Sequence, residues 1–234
     1  MRIAIMQPYF LPYLGYFQLI SAVDTFVIYD TIQYTKKGWI NRNQMLRNGA
    51  ATMFSLPLKN DSDFLNVVDR ALADAFDPAK LCSQISGAYR KAPEFETTMP
   101  MIEKIIMFKA DNLFDYIHNS LAKCCDHLGI KTALRVSSQV DGTTSGLRNA
   151  DRVIDICKQT GAATYVNPPG GRELYASAAF RTSGLELRFI QPRLSPYPQF
   201  GAAFVPSLSI LDVMMFNSRD HIREALLGEY DLVE

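Results

Sequence analysis

Apolar residues along this chain fall into two patterns, short continuous runs and stretches at helical spacing, and the way the two alternate predicts an architecture. RIAIM (Arg2 to Met6) is a short run stopped by Gln7-Pro8, as a buried strand would be, and YLGYFQLISAV then carries apolar residues at helical spacing. DTFVIYD (Asp24 to Asp30) is rich in the branched and aromatic residues that fit a pleated sheet. A strand, a loop, a helix and a second strand make a βαβ unit, which has to be parallel and right-handed.

The next stretch, IQYTKKGWINRNQMLRNG, mixes polar and aromatic residues and reads as a long loop, a length usually tied to function or mobility. AATMFSLPLK after it reads as a third strand, preceded by a turn at Asn48-Gly49. From Asp77 to Ile130 the pattern becomes helical: DPAKLCSQISGAYRKA opens with an Asp cap and a Pro at the first helical position, EFETTMPMIEKIIMFKA and DNLFDYIHNSLAKCCDHLGI follow, and Gly129 stops the last. Alternation then returns, with strands in ALRVSS, TYVNPPGG and LELRFIQP, helices in ADRVIDICKQTGA and ELYASAAFRTSG, and closing helices in FVPSLSILDVMMFN and SRDHIREALLG. The expected fold is α/β, an open doubly wound parallel sheet of Rossmann-like type, forming one domain over residues 1–234 with a helical insert at 77–130.

Composition narrows the class of protein. The 234 residues suffice for one sizeable core, and 48% hydrophobic with 21% charged residues is ordinary for a globular chain. Lys+Arg and Asp+Glu balance at 24 each, so no overall field draws the chain to nucleic acid or to an anionic membrane, and any anion site has to be local. Cys82, Cys124, Cys125 and Cys157 lack metal-ligand spacing and read as free thiols of a reducing cytoplasm. The apolar start is too short for a signal peptide, and no run approaches the roughly 20 residues that span a bilayer. A cytoplasmic location is expected.

Ligands of open α/β sheets bind outside the carboxyl ends of the strands, so the residues just after each expected strand are the candidates. They are Gln7, Pro8 and Tyr9; Asp30 and Gln33; Ser137 and Ser138; Asn167, Pro168, Gly170 and Gly171; and Gln191, Pro192 and Arg193. Gly15, beside Tyr13 and Tyr16, either opens a helix end suited to phosphate or lets the helix pack closely on the sheet. Lys36, Lys37 and Arg42, with Trp39 and Asn41 among them, either bind phosphate and a flat ring or form a solvated loop with Trp39 in the core. Asp212, an acid within an apolar helix, is read either as paired with a structural Arg or as catalytic. No G-x-S-x-G elbow, Walker loop, G-x-G-x-x-G or H-E-x-x-H occurs, and His118, His127 and His221 read as surface or helix-edge residues.

Several motifs in one order, MQPYFLPYLGYFQLI, VDTFVIYDTIQYTKKGWINRNQML, AYRKAP, DRVIDICKQTGAATYVNPPGGRELY, LRFIQPRLSPYPQF and FVPSLSILDVMMFN, carry a resemblance to the WbqC-like family of bacterial proteins over essentially the full length. The resemblance implies a role in O-antigen or other surface-polysaccharide (lipopolysaccharide) biosynthesis, with transfer of a glycyl, aminoacyl or related acyl group. Tyr13-Leu14-Gly15-Tyr16 also looks like the H-x-G-H segment of nucleotidylyltransferases, with tyrosine in place of both phosphate-binding histidines. Tyrosine brings no positive charge at neutral pH.

Three functions are therefore expected in turn. The first is a transferase that moves an acyl or aminoacyl group from a donor onto a nucleotide-linked amino sugar, with a sugar nucleotide as the bound small molecule, no metal motif, no nucleic-acid partner and room for an oligomer. In it Lys36, Lys37, Arg42 and the Gly15 helix end hold phosphates, Trp39, Tyr9 and Tyr16 stack on a ring, Asp30 is the base, and the backbone of Asn167 to Gly171 supplies oxyanion donors. The catalytic set is then Asp30, Tyr16 and Arg42. The second is a nucleotidylyltransferase-like or amino-acid-activating enzyme, and the third a catalytically inactive sugar-nucleotide-binding protein.

Overall fold

The computed structural model describes residues 1–140, 142–144, 146–201 and 203–234. In chain order its elements are β1 (Arg2–Met6), α1 (Leu14–Ser21), β2 (Thr25–Ile28), β3 (Arg42–Arg47), β4 (Ala50–Ser55), α2 (Pro78–Tyr89), α3 (Phe95–Ile106), α4 (Leu113–Leu128) and β5 (Ala133–Val136). There follow α5 (Asn149–Gln159), β6 (Thr164–Asn167), α6 (Ser177–Thr182), β7 (Glu186–Pro192), α7 (Ile210–Phe216), α8 (Arg219–Glu224) and β8 (Tyr230–Val233). Among the described residues no helix is long and apolar enough to cross a membrane.

Six strands form the main sheet in the order β5-β2-β1-β6-β7-β8. The pairs from β5 through to β7 are parallel. β8 runs antiparallel to β7 at the edge. Numbered by their own sequence, the sheet strands read 3-2-1-4-5-6, the doubly wound order whose switch point lies between the first and fourth, here β1 and β6. Period-two alternation sends successive side chains to opposite faces. Ala4, Phe26, Ile28, Val166 and Ile190 join α1 and α4 in one core, whereas Ile3, Ile5, Val27, Tyr165, Leu187 and Phe189 join α5 and Phe180 of α6 in the other. Each such buried side chain is worth roughly 1.5–3 kcal/mol, so a one-residue slip of a strand would exchange its partners on both faces at once.

Four expectations need correction. The sheet is mixed rather than wholly parallel, because the last residues return along β7 as β8, a strand for which no sequence signal was identified. AATMFSLPLK does not join the sheet; its β4 portion pairs antiparallel with β3 in a separate two-stranded ribbon. β3 comes from residues read as loop, and the physical reason is Asn48-Gly49, whose φ angles of 52° and 76° make a tight two-residue turn that forces the flanking residues to pair with each other. The helices read in ELYASAAFRTSG and FVPSLSILDVMMFN begin late, at Ser177 and Ile210, the second where Ser209 caps the helix by accepting from the Leu211 N–H.

Helices α2, α3 and α4 fill the region where helices were expected. Asp77 caps Lys80 N at 3.0 Å, Asn112 caps Phe114 N and Asp115 N, and Gly129 ends α4 at φ 72°. Their apolar faces do not form a separate body: Tyr89, Ile102, Tyr116 and Leu121 belong to the core that also holds α1, β3 and β4.

Candidate functional site

All five parallel strands end on one edge of the sheet, and a cleft of about 1310 Å³ opens there. Residues from the loops after all five line it, with Gln7 and Tyr9 after β1, Tyr29 and Gln33 after β2, Arg148 after β5, Gly171 after β6 and Pro192 at the end of β7. Of the sequence candidates, Gln7, Tyr9, Tyr13, Gly15, Tyr16, Gln33, Asn167, Gly170 and Gly171 are brought together on its walls. Pro8 is buried beside them without lining the cleft.

The turn from β1 into α1 is an aromatic wall. Tyr16 donates its hydroxyl to the Gln7 carbonyl at 2.8 Å, Tyr9 donates to Gln7 Oε1 at 3.2 Å, and the two rings lie 5.6 Å apart. Burial pushes the hydroxyls of Tyr9, Tyr13 and, most strongly, Tyr16 above the usual phenol range, so all three are neutral donors. The helix end at Gly15 is covered by Tyr13: a Cβ at Gly15 would fall 2.4 Å from the Tyr13 ring. The atoms that crowd Gly15 belong to Tyr13 of the same turn and not to the sheet.

The turn after β6 is held from within. Tyr165 donates to Asn167 Oδ1 at 3.1 Å, and a Cβ at Gly171 would fall 1.7 Å from Asn167 Nδ2, so only glycine leaves room for that carboxamide. Pro168 and Pro169 have no N–H, and the Gly171 N–H is given to the Pro168 carbonyl at 3.0 Å. This segment does not present a row of backbone donors to a ligand.

The wall built by the segment after β5 was not identified beyond Ser137 and Ser138. Thr143, Thr144, Arg148, Asn149 and Arg152 all face the cleft. Thr144 is fastened to α5 at both of its backbone groups, its N–H donating to Asp155 Oδ2 at 2.7 Å and its carbonyl accepting from Arg152 at 3.2 Å. Among the described lining residues Arg148 and Arg152 are the charged ones. The signal was legible: two arginines four apart, around the start of an amphipathic helix that follows a strand on the ligand edge.

Other candidates lie elsewhere. Lys36 is exposed and pairs with Asp63 at 3.4 Å, and Lys37 is exposed. Arg42 donates to the carbonyls of Gly38 and Lys37, its guanidinium 6.0 Å from the half-exposed Trp39 ring. Asn41 accepts from Tyr34 and donates to the Leu56 carbonyl at 2.7 Å. Backbone bonds join this segment to Phe10, Leu56 and Leu65, yet Lys36, Lys37, Trp39, Asn41 and Arg42 are not among the residues that line the cleft. Asp212 is fully buried and accepts from Tyr89 at 2.9 Å, Tyr197 at 2.7 Å and Gln199 at 2.5 Å, so its partners are hydroxyls and an amide. Burial raises its carboxyl above the usual range, although the three donors oppose that. Asp30, also fully buried, accepts at Oδ1 from Ser137 Oγ at 2.6 Å and from Ser138 N at 3.0 Å. Among the described residues no group of three His, Cys, Asp or Glu side chains stands together as a metal holder.

Comparison with known proteins assigns the chain to a family. The model of the WbqC-like protein family matches residues 7–224, and the chain belongs to that family. Over 222 residues it is 29% identical to the uncharacterized protein Rv1507c of Mycobacterium tuberculosis (strain ATCC 25618 / H37Rv), an alignment spanning 92% of this chain and 93% of that protein.

Proposed function

We propose, from membership of the WbqC-like protein family, that this chain is a transferase that seats a nucleotide-linked amino sugar in the cleft and moves an acyl or aminoacyl group onto it, within surface-polysaccharide biosynthesis. The observation that carries the reading is the cleft itself: it opens at the doubly wound switch point and its described charged residues are two arginines. Arginine forks match phosphate oxygens, and Arg148 is the exposed one, whereas Arg152 is held by the Thr144 carbonyl and by Asp155 at 3.7 Å. In the same cleft Tyr9 and Tyr13 offer flat, neutral faces for a base or sugar ring. A volume of about 1310 Å³ exceeds the roughly 300–1,000 Å³ of single-ligand pockets, which suits a donor and an acceptor bound together.

A second reading, a sugar-nucleotide-binding protein without catalysis, is favoured by one feature: no described lining residue is an Asp, Glu, His, Lys or Cys. The experiment is isothermal titration of the purified protein with uridine diphosphate glucosamine, repeated for Arg148→Ala. Binding that weakens roughly 10- to 100-fold in the variant, the loss of a charged hydrogen bond worth about 1.5–3 kcal/mol, supports the site. No binding by the wild type, or equal binding by both, refutes it. Acyl transfer to the bound amine separates the first reading from the second.

A further inference from the structure

A buried carboxylate lies one shell behind the cleft, and its hydrogen bonds lead to the surface. Asp30 and Ser137 are both fully buried, whereas Thr31, next to Asp30 in sequence, is half-buried and lines the cleft. Ser137 Oγ lies 2.6 Å from Asp30 Oδ1 and 3.4 Å from Thr31 Oγ1. A serine hydroxyl has one proton. With Asp30 ionised that proton points to the carboxylate, so Ser137 can only accept from Thr31, and the Thr31 lone pairs are left for the cleft. Among the described residues Asp30 Oδ2 has no hydrogen-bond partner, and no cation lies within ion-pair distance of the carboxylate. A buried acid oxygen left unpaired is costly, so its presence calls for an explanation.

We propose that Thr31, Ser137 and Asp30 form a proton relay, with Thr31 as the catalytic residue that touches the attacking amine and Asp30 acting through it as the store. The proposal rests on the acyl-transfer reading above. As the amine nitrogen bonds to the acyl carbon, its proton passes to Thr31 Oγ1, the Thr31 proton to Ser137 Oγ, and the Ser137 proton to Asp30 Oδ1. The acyl carbon then releases the donor's heteroatom, and the same three steps in reverse deliver the proton to that leaving group. An amine and an acyl ester become an amide and an alcohol, with no proton gained or lost by the protein. The relay accounts for a cleft that holds no described acid or base at its surface: the base is present, behind two hydroxyls.

The test uses uridine diphosphate glucosamine as acceptor and 4-nitrophenyl acetate as donor, with the N-acetylated sugar nucleotide measured by mass spectrometry and acceptor affinity measured by titration. Thr31→Val and Ser137→Ala should each lower kcat by about 10²–10⁴-fold, the usual worth of general base catalysis. Acceptor affinity should stay within about threefold, below the roughly 1 kcal/mol of one hydrogen bond. Thr31→Ser should restore most of the turnover, and the double variant should be no worse than either single one, as for residues acting as a unit. Thermal unfolding of each variant identifies any loss that comes from misfolding, and Thr31→Val, which keeps the side-chain shape, carries the decision. Turnover retained in Thr31→Val, or acceptor binding with no transfer by the wild type, overturns the relay and leaves the binding reading intact. Absence of acceptor binding removes that reading and the relay with it.

Discussion

Gly170 and Gly171 are neighbours in one turn of the cleft, yet alanine should have opposite effects at the two. At Gly171 an added Cβ would lie 1.7 Å from Asn167 Nδ2, so the carboxamide has to move and its bond from Tyr165 is lost. Breaking a buried bond of this kind costs about 1–3 kcal/mol. Reduced freedom of the unfolded chain returns about 0.4–1 kcal/mol, which leaves a net loss of up to about 2.5 kcal/mol. At Gly170 no described atom lies within 4 Å of the new methyl and φ is not left-handed, so the unfolded-state gain of about 0.4–1 kcal/mol is unopposed. For a chain of this size about 2–4 °C accompanies each kcal/mol. Differential scanning calorimetry should therefore show Gly171→Ala melting below the wild type, by up to about 10 °C, and Gly170→Ala slightly above it. Equal melting temperatures for the two variants would refute the claim that Asn167 occupies the space that glycine leaves.

Two further outcomes follow from the core. Asp212 has its pKa raised by burial, so the folded state holds its proton more readily than the unfolded state does. Its stabilising contribution is then greatest below the unfolded value of about 3.9 and declines as pH rises from there through the folded value. In urea titrations over that range the stability difference between wild type and Asp212→Asn should shrink with rising pH; a gap that widens argues against the sign. Asn112→Ala removes two capping bonds at the start of α4 and a 2.7 Å bond to the Val68 carbonyl, for a loss of about 1–3 kcal/mol in denaturant unfolding, and a loss under 0.5 kcal/mol would show that the cap holds nothing.

Much of the cleft was legible because a doubly wound sheet sends its ligand residues to one edge, and that edge can be read strand by strand. Gln7, Tyr9, Asn167 and Gly171 were found in this way, and each lines the cleft. Arg148 and Arg152 were missed although the strand before them was identified, because a long segment separates β5 from α5 and only the residues directly after a strand are marked by the sheet edge. Lys36, Lys37, Trp39 and Arg42 have the composition of an anion site but do not line the cleft: Lys36 pairs with Asp63 and Arg42 is spent on the carbonyls of Lys37 and Gly38.

Local pattern by itself determined the βαβ order, the start of α2 and the end of α4, because each depends on chemistry within a few residues: a short apolar run, a capping carboxylate, a left-handed glycine. Tertiary structure alone decided which strand lies beside which, that β3 and β4 stand outside the sheet, and what surrounds the buried acids. Asp30 meets Ser137 across 107 residues of chain and Asp212 meets Tyr89 across 123. Contacts that distant are selected by the packing of whole elements around a common core, and no local pattern in the chain encodes their partners.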